Sequence, residues 1–182
     1  MSANDLTDKE LMERIARSDA GAFRILLNRY SDMLYAFAWR LTSSKTDAED
    51  IVQDVFFKVW RSAAQWRPEA KLLAWLHRIA YNRYIDMVRR VRPTESEIPE
   101  TASPDDSPEQ TLLKKSESDE IAKAVNALPE RQKEALVLCY HQGMTAREAA
   151  EMLSVSPGAL EALLFRARQA LKEKLFKGKE KQ

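Results

Sequence analysis

Between Trp60 and Arg92, eight Lys and Arg residues interleave with Trp66, Trp75, Tyr81 and Tyr84, against only two acidic residues. Cations hold phosphates and exposed aromatic rings stack on unpaired bases, so the combination suits single-stranded or melted nucleic acid. Tyr84 keeps the phase of the surrounding apolar period and belongs to a core. Trp75 and Tyr81 fall outside that phase and are expected to be available. A second pattern lies nearer the C-terminus. Thr145–Leu153 and the segment opening at Pro157 have the spacing of two helices joined by a short turn, with Val155 tucked beneath it. Such a helix-turn-helix unit places the start of its second helix in the major groove, and Arg166, Arg168 and Lys172 lie further along it.

Enzymatic chemistry finds no such support. His77 and His141 are far apart in sequence, and Cys139 and His141, two residues apart on a helix, face different ways. The sequence holds no metal-ligand cluster, Gly-rich phosphate loop or nucleophile motif. Neither an enzyme nor a cofactor is expected, and Cys139, beside Val137 and Leu138, reads as a small buried apolar residue.

Charge is distributed unevenly along the 182 residues. A net charge of +1 divides into −2 for Met1–Val59, +6 for Trp60–Arg92, −6 for Pro93–Ala127 and +3 for Leu128–Gln182. Alternating basic and acidic blocks suggest a polyanion-binding protein with an acidic tether. No apolar run exceeds the seven residues Met33–Trp39, so nothing is expected to span a bilayer. The N-terminus lacks a basic start followed by an apolar stretch, and one cysteine forms no internal disulfide, so a cytoplasmic protein is expected.

Helices must position these groups. Only four residues are Gly, and no stretch shows strand alternation. Thr7–Glu10, Thr46–Glu49 and Thr145–Glu148 match the capping box, in which each side chain satisfies the other's backbone donor. Apolar spacing predicts helices over about 8–16, 22–41, 46–64 and 69–91. Four prolines (Pro93, Pro99, Pro104, Pro108) in a 16-residue acidic stretch then mark a linker. Beyond it, helices are expected over about 109–127, from Pro129 to a stop at Gly143, over 145–153, and from a Ser156 cap to about 176. Twelve of the 15 aromatics precede Pro93, so two domains with different cores are the natural reading. The fold class is all-α: domain one 1–92, linker 93–108, domain two 109–182.

In this order the segments resemble an extracytoplasmic-function (ECF) sigma factor, the minimal bacterial transcription-initiation subunit of the sigma-70 family, group IV. DAEDIVQDVFFKVW (Asp47–Trp60) is similar to region 2.2, which binds the clamp helices of the RNA polymerase β′ subunit. LLAWLHRIAYNRYIDMVRR (Leu72–Arg90) resembles regions 2.3 and 2.4, which melt and read the −10 element. Leu128–Leu171 resembles region 4, which reads the −35 element.

The resemblance implies core-polymerase contact by Asp50, Gln53, Asp54, Phe57 and Trp60. Asp50, Asp54 and Phe57, spaced four and three apart, share one flank of a helix. It implies −10 DNA contact by Trp75, Arg78, Tyr81, Asn82, Arg83, Arg89 and Arg90, with Asn82 in a base-capturing loop, although the apolar period shows no break there. It implies −35 contact by Arg147, Ser156, Glu161, Ala162, Arg166 and Arg168. Family members often carry a basic-Ser-Arg triplet where this chain has Glu161-Ala162-Leu163, so Glu161 reads a cytosine amino group, repels DNA or contacts a partner.

The implied partners are core RNA polymerase (β′ clamp helices and β subunit), promoter DNA and an anti-sigma factor, with no small-molecule substrate and no membrane insertion. With no receiver domain or long extension, self-inhibition is not expected. Two alternatives stay open: an interaction protein that titrates an anti-sigma factor, and a conventional dimeric helix-turn-helix regulator.

Overall fold

A capping box opens the first helix, as its sequence demands. In the computed structural model, which describes residues 6–68, 71–91, 115–140 and 144–177, Thr7 caps α1 (Asp8–Ile15) and Glu10 bonds back to the Thr7 backbone N–H at 2.8 Å. Asp19 caps α2 (Ala20–Thr42) by accepting from the Ala22 N–H at 3.0 Å. α2 buries Leu26, Tyr30, Leu34, Phe37 and Leu41 along one face.

The start of α3 differs from expectation. Ser43 takes the left-handed conformation (φ 56°) and stops α2, Ser44 is extended, and α3 runs Lys45–Ser62. The connection is so short that Ser44 becomes the cap, accepting from the Asp47 N–H at 3.3 Å, and Thr46 already lies inside the helix. α3 ends two residues before the expected boundary and continues as a 3-10 turn, Ala63–Gln65. α4 (Leu72–Val91) is continuous through Asn82. The apolar period therefore describes this segment, and the loop implied by the resemblance is not formed here.

α1 to α4 pack around Phe37, Ile51, Val55, Val59, Leu76 and Ala80, all fully buried. α5 (Lys115–Asn126), α6 (Glu130–Tyr140), α7 (Ala146–Leu153) and α8 (Pro157–Lys177) form a second group around Ala135, Leu138, Ala149, Leu153, Leu160 and Ala167. The third capping box is present at Thr145 and Glu148. Ser154, left-handed at φ 55°, ends α7, and the Ala159 N–H donates to Ser156 Oγ at 3.2 Å, so Ser156 caps α8 with Pro157 in its first position. Val155 is half-buried against the core, as the turn pattern requires. The linker 93–108 and Gly143 lie outside the described residues.

Two separate cores are expected, but the buried residues form one continuous cluster across both groups. α2 packs on α6. No strand occurs among the described residues.

Candidate polymerase and nucleic-acid interfaces

The amphipathic period of α3 turns Ile51, Val55 and Val59 inward and leaves the opposite face to solvent. On that face Asp50 and Gln53 are exposed and Phe57 is 59% exposed, its ring 5.4 Å from the Arg61 guanidinium. Asp50, Gln53 and Phe57 line an open groove between α2 and α3 with Leu27, Ser31 and Tyr35. Trp60, at the end of the same face, packs edge-on against Phe23 at 5.1 Å. An acidic, aromatic groove of this kind suits a basic helical partner. Asp54 is turned away from it. Its carboxylate accepts from Nε of Arg83 on α4, so the two expected sites meet in one ion pair.

Along α4, Arg78, Asn82, Arg89 and Arg90 are exposed, and Arg89 and Arg90 occupy the last turn, where cations also suit the helix dipole. Trp75 is half-buried and lines a small cleft with Arg78, Met144, Glu148, Glu151 and Met152. Tyr81, expected to be available, is 2% exposed. Its hydroxyl donates to Glu134 Oε2 at 3.2 Å, and the Tyr84 hydroxyl donates to Glu130 Oε1 at 3.2 Å. The physical reason is α6, which covers this face of α4; a period counted within one helix does not register a neighbour from the other half of the chain. Burial is the main cause holding both phenols above their ordinary range, and Glu134 and Glu130 add to it, so both remain neutral donors. Burial also pushes the Glu134 carboxyl up, against the opposing pull of Arg131 at 3.3 Å. Beside this contact, Lys133 Nζ donates to Ser43 Oγ at 3.1 Å and Ser43 donates to Asn126 at 2.8 Å. Glu134, Glu130, Lys133 and Asn126 carry no distinctive pattern in the sequence and escape a reading confined to motifs.

In the helix-turn-helix pair, Ser156 and Glu161 are exposed at the start of α8. Leu160, Leu164 and Ala167 are buried, leaving Ala162 half-buried and Arg166 exposed on the outer side. Arg147 is exposed and paired with Glu151 at 3.2 Å. Arg168 departs from this group: its Nε donates to the Tyr140 hydroxyl at 3.0 Å and its guanidinium lies over that ring. Phe165, 61% exposed, adds an apolar side chain to the outer face that the motif did not single out. Cys139 is half-buried, and burial pushes its thiol up, as suits a packing residue. No helix among the described residues is long and apolar enough to cross a membrane.

A helix-turn-helix group joined to a bundle with acidic-aromatic and basic-aromatic faces defines a two-part, all-helical transcription protein. Residues 26–94 match the model of sigma-70 region 2, and residues 118–171 match that of sigma-70 region 4. The chain is 30% identical to the ECF RNA polymerase sigma-E factor of Haemophilus influenzae, over 95% of this chain and 97% of that one. It is 33% identical to the ECF RNA polymerase sigma factor SigE of Mycolicibacterium smegmatis, over 84% of this chain and 61% of the relative. Among solved structures it resembles CnrH in complex with the cytosolic domain of CnrY, with a TM-score of 0.65 and 27% identity over 92% of this chain and 96% of that one. It also resembles the sigma factor RpoE in complex with the anti-sigma factor NepR from Bartonella quintana, at a TM-score of 0.65 and 28% identity over 84% of this chain and 96% of that one. The chain belongs to the ECF sigma factor family, group IV of the sigma-70 proteins.

Proposed function

We propose that this protein binds core RNA polymerase in the cytoplasm and directs it to promoters, reading the −10 element through α4 and the −35 element through α8. The observation that carries the reading is the order of faces along one chain: the Asp50–Gln53–Phe57 groove, the basic run of α4, then the Ser156-capped helix of a helix-turn-helix pair. Full-length similarity to sigma-E of Haemophilus influenzae supports it. The groove on α3 takes the β′ clamp helices, and Trp75, Arg78, Asn82 and Arg83 meet the melted strand. Arg89 and Arg90 hold its phosphates, and Arg147, Ser156, Glu161, Ala162 and Arg166 face the −35 duplex.

No bond is made or broken by the chain itself. Binding energy drives opening: unstacking a base costs a few kcal/mol, and stacking on aromatic side chains returns about 1–3 kcal/mol per base. An anti-sigma factor holds the protein inactive, a reading supported by CnrH with CnrY and RpoE with NepR. Run-off transcription with purified core polymerase tests the function. Specific transcripts that require this protein are expected; a protein that binds DNA or an anti-sigma factor but never supports initiation overturns it.

A further inference from the structure

Besides the α3 groove, α2 borders a second hollow of about 750 Å³, whose other walls come mainly from α5, α6 and α8. That size falls within the range of small-ligand sites, roughly 300–1,000 Å³. The lining is mostly aliphatic: Met33 and Ala36 of α2, Val125 of α5, Leu136 and Val137 of α6, and Leu171 of α8. Val137 is buried while Ile121 and Tyr140 are exposed, so the hollow is a trough with a dry floor and raised rims. A smaller trough beside Tyr35 and Trp39 joins it, and Arg40 is the charged residue common to both. Asp32, Arg40 and Arg168 are the charged side chains of the larger trough. Arg40 donates to the Ala36 carbonyl at 3.1 Å, and Arg168 to the Tyr140 hydroxyl at 3.0 Å. Neither meets a carboxylate among the described residues, and a guanidinium carries further donors for an anion. Asp32 precedes Arg40 on α2 by about 12 Å of helix, so the acidic and basic ends of this wall are well separated.

We propose that this trough binds a fatty acid, with the carboxylate on Arg40 and the hydrocarbon chain along Met33, Leu136, Val137 and Leu171. A head group at the junction of the two troughs leaves the aliphatic lining of the larger one for the chain. Burial of the chain supplies affinity in proportion to the apolar area removed from water. The charge supplies selectivity, because Arg40 and Arg168 favour an anion over a cationic amphiphile of the same length. Arg168, expected at the −35 duplex, is held at this trough by Tyr140 instead. The trough includes none of Asp50, Gln53, Phe57, Asn82, Arg89 or Arg90, so a bound acid leaves the proposed polymerase and strand contacts unoccupied. It touches both helical groups at once, and as a ligand of the folded state it raises the thermal unfolding midpoint. No reaction is asked of it. The inference does not rest on the sigma-factor reading.

The test is calorimetric titration of the full-length protein with sodium dodecanoate below its micelle concentration, with circular dichroism read at saturation. Butanoate supplies the head without the chain, and dodecyltrimethylammonium supplies the chain with the opposite charge. One dodecanoate per chain should bind with helical content retained, and both controls should bind at least about tenfold more weakly. Arg40→Ala should weaken dodecanoate about tenfold, the loss of one charge-assisted contact. Ala36→Phe fills the trough without changing charge and should abolish binding. Arg24→Ala removes an exposed cation of α2 outside the trough and should match the parent protein. Because Arg40 is exposed, its variant stays informative if Ala36→Phe folds poorly. Absence of binding by the parent protein overturns the proposal, and so does helix lost on titration, which marks detergent denaturation. Equal losses in Arg40→Ala and Arg24→Ala, or equal binding of the cationic amphiphile, also overturn it. An acidic amphipathic peptide that binds in an Arg40-dependent way where dodecanoate does not would assign the trough to a protein partner and overturn the fatty acid. Polymerase and DNA take no part in these titrations, so failure here leaves the sigma reading standing, and failed run-off transcription leaves the trough standing.

Discussion

Asp54 and Arg83 join two surfaces through one pair of side chains. The pair is partly solvated, with side-chain exposures of 47% and 28%, so it contributes no more than about 1 kcal/mol and yields readily to a stronger partner. If a basic clamp docking beside the α3 groove draws Asp54 out of this pair, Arg83 is released for a phosphate, which would link polymerase docking to strand binding. Reversing Asp50 and Asp54 together to Lys should weaken holoenzyme formation while helical content by circular dichroism stays the same. An undiminished affinity for core polymerase would remove this surface from the proposal. Asn82 is exposed on α4, and the proposed function gives it a part in reading rather than docking. Asn82→Ala is expected to cut open-complex formation, followed by permanganate footprinting, far more than core binding. A pre-melted −10 bubble should recover part of that loss; complete recovery would mean that Asn82 assists melting and reads no base. At this scale the sequence marks candidates by residue type, but the pairing of Asp54 with Arg83, 29 positions away, depends on how α3 and α4 cross. Spacing within one helix carries no information about that crossing.

Among the elements, the helices themselves were legible because their signals are local. Two of three expected capping boxes form, and the apolar period gives α2, α4 and α8 to within a few residues. Misplacement of the α3 cap has an equally local cause: a left-handed serine, Ser43, moved the start two residues upstream, and Ser43 carries none of the glycine that normally signals that conformation. α8 shows how legibility at this scale reaches function. Its buried edge of Leu160, Leu164 and Ala167 fixes which residues remain on the outer side, and Glu161 stands exposed on the second turn with no hydrogen bond or ion pair to another described side chain. Arg168 is drawn to Tyr140 instead, so Glu161 has no neutralising partner from that side. If Glu161 accepts from a cytosine amino group, Glu161→Lys should lose about 1–3 kcal/mol on the −35 sequence containing that base pair. It should simultaneously gain non-specific affinity with a steeper salt dependence. Electrophoretic shifts over a −35 library at two salt concentrations measure both; an equal rise for every sequence would make Glu161 a brake and not a reader.

At the scale of the whole molecule, the decisive contact is between halves of the chain that share no local signal, and its chemistry makes it respond to pH. Glu134 sits where α6 meets α4, with its carboxyl above the ordinary value of 4.5 because closure buries it. Tyr81 donates to it from α4; Arg131 beside it lowers the shift, and Glu130 raises it. When the halves separate, water returns to the carboxyl and its pKa falls back toward 4.5. The closed form thus binds a proton more tightly than the open form, and linkage gives the sign: closure is favoured as pH falls and weakens as pH rises through the closed-state value of Glu134. The advantage is complete below about pH 4.5, where both forms are protonated at this site. Lys133, held below its ordinary value by burial, and His77 of α4 are common to the parent and to a Glu134→Gln variant, so their contributions cancel in that comparison. As pH is lowered from neutral toward 4.5, the radius of gyration of the parent protein should shrink and its affinity for a random-sequence single-stranded oligonucleotide should fall. Glu134→Gln, which keeps an acceptor for Tyr81 but has no proton to gain, should stay flat on both measurements. A parent protein that expands on mild acidification, or a variant that follows the parent, would show that Glu134 does not set the balance between the closed and open forms.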